Sequence, residues 1–147
     1  MTARLVVDGY NVVHAWDDLR ALMGESLALA REELAGRLAV YSYITGWSVT
    51  LVFDAHQTVR SPGSREVRDG VEILFTKSGS TADHAIERLA YEARERGESL
   101  MVATSDRFHR DMLRGMGAGV IDAQELRRQV LDAEAEMTRR LKSYEAP

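Results

Sequence analysis

Five acids and one asparagine stand where chemistry could use them: Asp8, Asn11, Asp54, Asp83, Glu87 and Asp106. Asp8, Asp54 and Asp106 each follow a short apolar run, Leu5-Val6-Val7, Leu51-Val52-Phe53 and Met101-Val102-Ala103. Such runs read as buried strands, and in open parallel α/β sheets ligands bind just beyond the carboxyl ends of the strands. Asn11 follows Asp8 by three residues and belongs to the same edge. Asp83 and Glu87 are four residues apart and therefore share one helix face, where like charges destabilise by roughly a few tenths of a kcal/mol. A cation between them reverses that sign.

Carboxylates crowded at one edge cannot all stay ionised without a counter-ion. The chain has no cysteine, and its four histidines are not paired at ligand spacing, which disfavours zinc. Oxygen-only donors suit Mg²⁺ or Mn²⁺. A hard cation in such a pocket supplies hydroxide from bound water and stabilises charge on an attacked phosphate, so hydrolysis of a nucleic acid is the expected chemistry. Simpler roles compete at single positions: Asp8 and Asn11 can bond their own backbone in a turn, and Asp83 lies in a helix's first turn, where the dipole favours acids. Rival chemistries lack their signatures. There is no P-loop ending in Gly-Lys-Ser/Thr, no dinucleotide fingerprint after the first strand and no cysteine nucleophile. An aspartyl-phosphate phosphatase could use Asp8 as nucleophile, but the usual second acid two residues on is replaced by Tyr10.

The elements that must position these groups follow from the apolar patterning. A strand ending at Asp8 leads through a Gly9 turn to a short helix over 14–23, with Asp17 and Asp18 on its solvated side. Ser26 is an N-cap for a long helix that Gly46 stops near residue 45, and Trp47 beside it reads as a packing anchor. Strands are expected over 48–54, 71–76, 100–104 and 119–121, and helices over 81–96 and 108–116. Asp122 with Glu125 resembles a capping box for a final helix whose face Leu126, Val130, Ala133, Met137 and Leu141 packs on the core or a dimer partner. Its polar side, with Arg127, Arg128, Arg139, Arg140 and Lys142, reads as a solvated face, with RNA contact the alternative. Residues 55–70 are polar, carry a Pro-Gly turn signal and read as the longest loop. Its Arg60, Arg65 and Arg68, with Lys77 and Arg107 beside other strand ends, are candidate phosphate contacts. Strands alternating with helices give an α/β fold, a three-layer αβα sandwich on a mainly parallel sheet of about five strands.

With 147 residues and 45% apolar content, one domain spanning 1–147 is expected. The net charge of −4 argues against a general nucleic-acid coat but permits a local basic surface. No run of about 18 apolar residues suggests a membrane span, and Met1-Thr2-Ala3-Arg4 does not open a signal peptide, so a cytoplasmic protein without membrane partners is expected.

In order and spacing, Asp8-Gly9-Tyr10-Asn11, Val52-Phe53-Asp54, Phe75-Thr76 with Thr81-Ala82-Asp83 and Glu87, and Val102-Ala103-Thr104-Ser105-Asp106 resemble the NYN domain of the YacP-like family, a branch of the PIN-like nucleases. The resemblance covers nearly the whole chain. It implies a PIN-like fold, a divalent-metal site and bacterial endoribonuclease activity, with some members acting on mRNA at the ribosome. Carried over by position, Asp8, Asp83 and Asp106 are the core metal acids and Asn11 a supporting catalytic-site ligand. Asp54 and Glu87 are outer acids or orienting groups. The expectation is an endoribonuclease dependent on Mg²⁺ or Mn²⁺, cutting single-stranded RNA to 5′-phosphate and 3′-hydroxyl ends, as a monomer or weak homodimer. The alternatives are a non-catalytic RNA- or ribosome-binding module of the same fold, a toxin-type nuclease needing an inhibitor, and a small-molecule phosphatase.

Overall fold

The computed structural model describes residues 3–54, 63–77 and 79–145. In chain order these form β1 (Ala3–Asp8), α1 (Gly9–Ala15), α2 (Asp17–Glu25), α3 (Leu27–Thr45), β2 (Ser48–Phe53), β3 (Ser64–Arg68), β4 (Val71–Phe75), α4 (Ala82–Arg96), β5 (Ser99–Ala103), α5 (Arg107–Gly115), β6 (Gly119–Ile121) and α6 (Ala123–Glu145). The sheet runs β3-β4-β2-β1-β5-β6. Every pairing is parallel except that of β3 with β4.

Helices cover both faces, and the near-continuous apolar strands reflect that. Leu5 and Val7 of β1 face a core shared with α1, α2, α3 and α6, through Val12, Leu19, Leu34, Leu38 and Leu126. Val6, between them, points the other way and packs with Val52, Val102 and the Ile86, Ala90 and Leu113 side chains of α4 and α5. Period-two alternation then turns Asp8 to the α4 and α5 side. Trp16 anchors the opposite layer: it is fully buried, its indole N–H donates to the Ala123 carbonyl at 2.8 Å, and the Arg37 guanidinium lies 5.0 Å from its ring. Arg37 also bonds both carboxylate oxygens of Glu134 at 3.0 Å, tying α3 to α6.

The caps of α3 are as the sequence suggests: the Ser26 hydroxyl accepts from the Leu29 N–H and Gly46 adopts φ 78°. Two expectations need correction. The sheet has six strands, because the second half of the expected 55–70 loop is β3, hairpinned to β4 through Asp69 (φ 52°) and Gly70 (φ 84°). Positive φ at both positions is what a two-residue type I′ hairpin requires. All five β3 residues are exposed, so no apolar alternation marks the strand, and its charges suit an edge that must not recruit another chain. Residues 55–62, with Arg60, lie outside the described residues.

The second correction is at the first strand's end. No turn follows Asp8: α1 starts directly at Gly9, and the chain breaks at Trp16 (φ −95°, ψ 119°) before α2. Gly9 is needed for clearance, since a Cβ there would lie 2.4 Å from Phe53 Cε1 and 2.9 Å from the Val52 carbonyl oxygen. The apolar face of α6 is buried as far as Ala133, and Leu141 beyond it is exposed. Among the described residues no helix is long and apolar enough to cross a membrane.

Candidate active site at the carboxyl edge of the sheet

The chain lays β2 and β4 on one side of β1 and then returns to lay β5 and β6 on the other. That reversal opens a crevice beyond the carboxyl ends of β1 and β5, the place where such sheets bind ligands. Asp8 is the last residue of β1 and is 9% exposed. Although it occupies the N-cap position of α1, its side chain makes no capping hydrogen bond. Instead, Oδ2 accepts from the hydroxyl of fully buried Thr104, just past β5, at 3.3 Å. Burial, and then the nearby Asp83 carboxylate, push the Asp8 carboxyl up to about 6, against smaller opposing effects of the Thr104 hydroxyl, His109 and the Asn11 backbone N–H. An acid turned across the sheet and held above its ordinary range is not a turn-former.

Asn11 also reaches across, its Oδ1 accepting from the Ser105 backbone N–H at 2.9 Å. Ser105 in turn accepts from the Ala123 N–H at 3.1 Å, and Thr104 Oγ1 accepts from the Asp106 N–H at 3.3 Å. The segment 104–106 is thereby tied to β1, α1 and the start of α6. Asp106 is exposed and caps α5, its Oδ1 accepting from the His109 N–H at 3.3 Å.

Across the crevice, the Thr81 hydroxyl and Asp54 hold the start of α4, accepting from the His84 and Ala82 N–H groups at 3.1 and 3.3 Å. This presents Asp83 and Glu87 to the α5 side. Between them lies His109, 3% exposed, with Nδ1 3.4 Å from Asp83 Oδ1 and Nε2 3.6 Å from Glu87 Oε1. Neither ring nitrogen has hydrogen-bond geometry to any described partner. The structure thus brings Asp8, Asp83, Glu87 and Asp106 around one buried histidine, with Asn11 and Asp54 bracing the strand end and the helix start.

The basic residues divide. Arg107 begins α5 beside Asp106, next to Phe108, which is 88% exposed. Lys77 is exposed beyond the end of β4. Arg68 pairs in register with Val71, the first residue of β4, and so lies at the opposite end of the sheet from Asp8; Arg65 is ion-paired with Glu72. These two are not brought to the acids. Sequence reasoning missed Thr104 and His109 as members of the constellation. For His109 a signal existed: Leu113, four residues on, places it on the buried stripe of α5.

Among the described residues, no group of three or more His, Asp or Glu side chains stands at the spacing that would hold a metal ion. The donor chemistry nevertheless fits a hard cation. Mg²⁺ keeps several waters and is bound through one or two carboxylates plus phosphate oxygens, so it needs no all-protein cage. Burial, and then the neighbouring Asp83 carboxylate, disfavour the charged form of Asp8, and a cation held by its oxygens would offset both effects.

A mainly parallel six-stranded sheet between helical layers, with acids gathered at its carboxyl edge, is the architecture of a PIN-like nuclease domain. The chain belongs to the YacP-like NYN domain family, a branch of that superfamily, whose model matches residues 5–147. It is similar to YacP of Bacillus subtilis (strain 168), 38% identical over 138 residues that span 94% of this chain and 81% of YacP. It also resembles crystal structures of Rae1 (YacP) from Bacillus subtilis. One, of a tryptophan-to-leucine variant, has a TM-score of 0.83 at 37% identity, covering 98% of this chain and 84% of that one. Another has a TM-score of 0.83 at 37% identity, covering 95% and 80%.

Proposed function

We propose that this protein is a divalent-metal-dependent endoribonuclease acting on single-stranded RNA, with mRNA, including mRNA engaged by the ribosome, as the substrate its family resemblance implies. The observation that carries the reading is the buried Asp8 carboxyl, raised to about 6 with Asp83 beside it, at a nuclease family's sheet edge. Asp8, Asp83 and Asp106 would hold Mg²⁺ or Mn²⁺. When bound, the cation supplies a water acidic enough to attack at neutral pH and offsets charge on the phosphate.

The chain's own residues do the rest. Thr104 orients the Asp8 carboxylate by donating to Oδ2, and Asn11 locks α1 to the loop that carries Asp106. Asp54 fixes the start of α4 and hence the placement of Asp83. Arg107 and Lys77 are the phosphate contacts nearest the acids, and exposed Phe108 offers a face on which a base can stack. The positive charge of Arg107, in the first turn of α5 beside Asp106, permits local RNA binding despite the net charge of −4.

The test is cleavage of a labelled single-stranded RNA by the parent, Asp8→Asn and Asp106→Asn, in Mg²⁺ or Mn²⁺ and in EDTA. Expected is cleavage by the parent in metal alone, with both variants slowed by at least about 100-fold, the scale set by losing a group that stabilises developing charge. Variants as fast as the parent would refute the assignment. RNA binding without metal-dependent cleavage in the parent would instead favour a non-catalytic module.

A further inference from the structure

His109 joins three of the site's acids. Its backbone N–H donates to Asp106 Oδ1 at 3.3 Å, while its ring nitrogens point at Asp83 and Glu87, 3.4 and 3.6 Å away. Asp83 and Glu87 lie one turn apart on α4, where two carboxylates repel and have no built-in reason to keep a fixed separation. The imidazole fills the space between them and belongs to the helix that Asp106 caps. It is 3% exposed, and neither nitrogen makes a hydrogen bond to a described partner, an unfavourable state for a histidine that served only to fill a core.

We propose that His109 is a positioning residue that sets the spacing and orientation of Asp83, Glu87 and Asp106 for a divalent cation. This rests on the metal-site reading above. Groups behind the ligands orient them and tune affinity, and their loss costs about 10–100-fold in metal affinity or activity. Histidine is suited to this place because its two nitrogens project from a rigid ring toward different partners, one carboxylate for each. Leucine at this position keeps apolar volume and removes both polar contacts. Glutamine keeps one amide that can address either acid.

Mn²⁺ binding to the full chain by electron paramagnetic resonance is the readout, with the melting temperature and RNA cleavage measured alongside. Expected for folded His109→Leu is a Mn²⁺ dissociation constant raised about 10–100-fold, with His109→Gln recovering part of the loss. A folded His109→Leu that binds Mn²⁺ within about twofold of the parent would overturn the proposal and leave the nuclease reading intact. Should His109→Leu fail to fold, His109→Gln carries the test: weakened Mn²⁺ binding supports the role and unchanged binding overturns it. A parent that binds no Mn²⁺ would refute the metal site itself, and this role with it.

Discussion

Asp8→Asn is expected to stabilise the metal-free protein at neutral pH. The carboxyl's ordinary 3.8 rises to about 6 in the folded chain, first through burial and then through Asp83. A folded-state value above the unfolded one means that the native protein holds this proton more tightly. The associated stability is fully present below pH 3.8 and is lost as pH rises through about 6. At about 1.4 kcal/mol per pH unit, the whole difference is about 3 kcal/mol. Asparagine is nearly isosteric with the protonated acid and can still accept from the Thr104 hydroxyl, so it escapes this loss. The variant should therefore match the parent near pH 4 and exceed it by up to about 3 kcal/mol at pH 7.5, or about 6–12 °C in Tm for a chain of this size. Thermal unfolding in EDTA across that range, followed by circular dichroism, measures the difference directly. Adding Mg²⁺ or Mn²⁺ should narrow the gap, because a cation bound by the carboxylate stabilises only the parent. An Asp8→Asn protein no more stable than the parent at pH 7.5, or a gap that does not change with pH, would refute the reasoning.

Gly9→Ala would drive a methyl into Phe53 and the Val52 carbonyl, costing about 1–3 kcal/mol by over-packing, read as a lower urea midpoint. Asn11→Ala removes the acceptor for an exposed Ser105 N–H, so stability should fall by less than about 1 kcal/mol in urea titrations. RNA cleavage by the same variant should fall by as much as about 100-fold, because the loop carrying Asp106 loses its tie to α1. Arg107→Ala should weaken RNA binding and lower the slope of log affinity against log salt by about 1, measured by fluorescence anisotropy over a salt series.

The parts of the fold legible in the sequence are those governed by local rules. The apolar runs at β1, β2 and β5, the Ser26 and Gly46 caps of α3 and the helix α4 all appear where the pattern places them. β3 was hidden because an edge strand of charged residues has no buried face, although Asp69-Gly70 is itself a strong hairpin signal. Gly9 misled for a different reason. A glycine after a strand suggests a turn, whereas here the requirement is a close approach to Phe53, 44 residues away, which no local pattern records. The acids could be listed from strand ends and helix spacing, but their division of labour depends on tertiary contacts. Asp54 bonds the start of α4 and Asn11 the loop after β5, and neither partner is a neighbour in sequence. His109 shows the same limit, since its meaning comes from two acids on another helix.

The most direct measurement of the central claim is a crystal of this protein soaked in Mn²⁺, with anomalous diffraction used to locate the ion. Expected is a single strong peak in the crevice touching Asp8, Asp83 and Asp106 at about 2.0–2.2 Å, the range for a small hard cation on carboxylate oxygens. A crevice that holds only water at saturating Mn²⁺, with these three side chains unmoved, would contradict it.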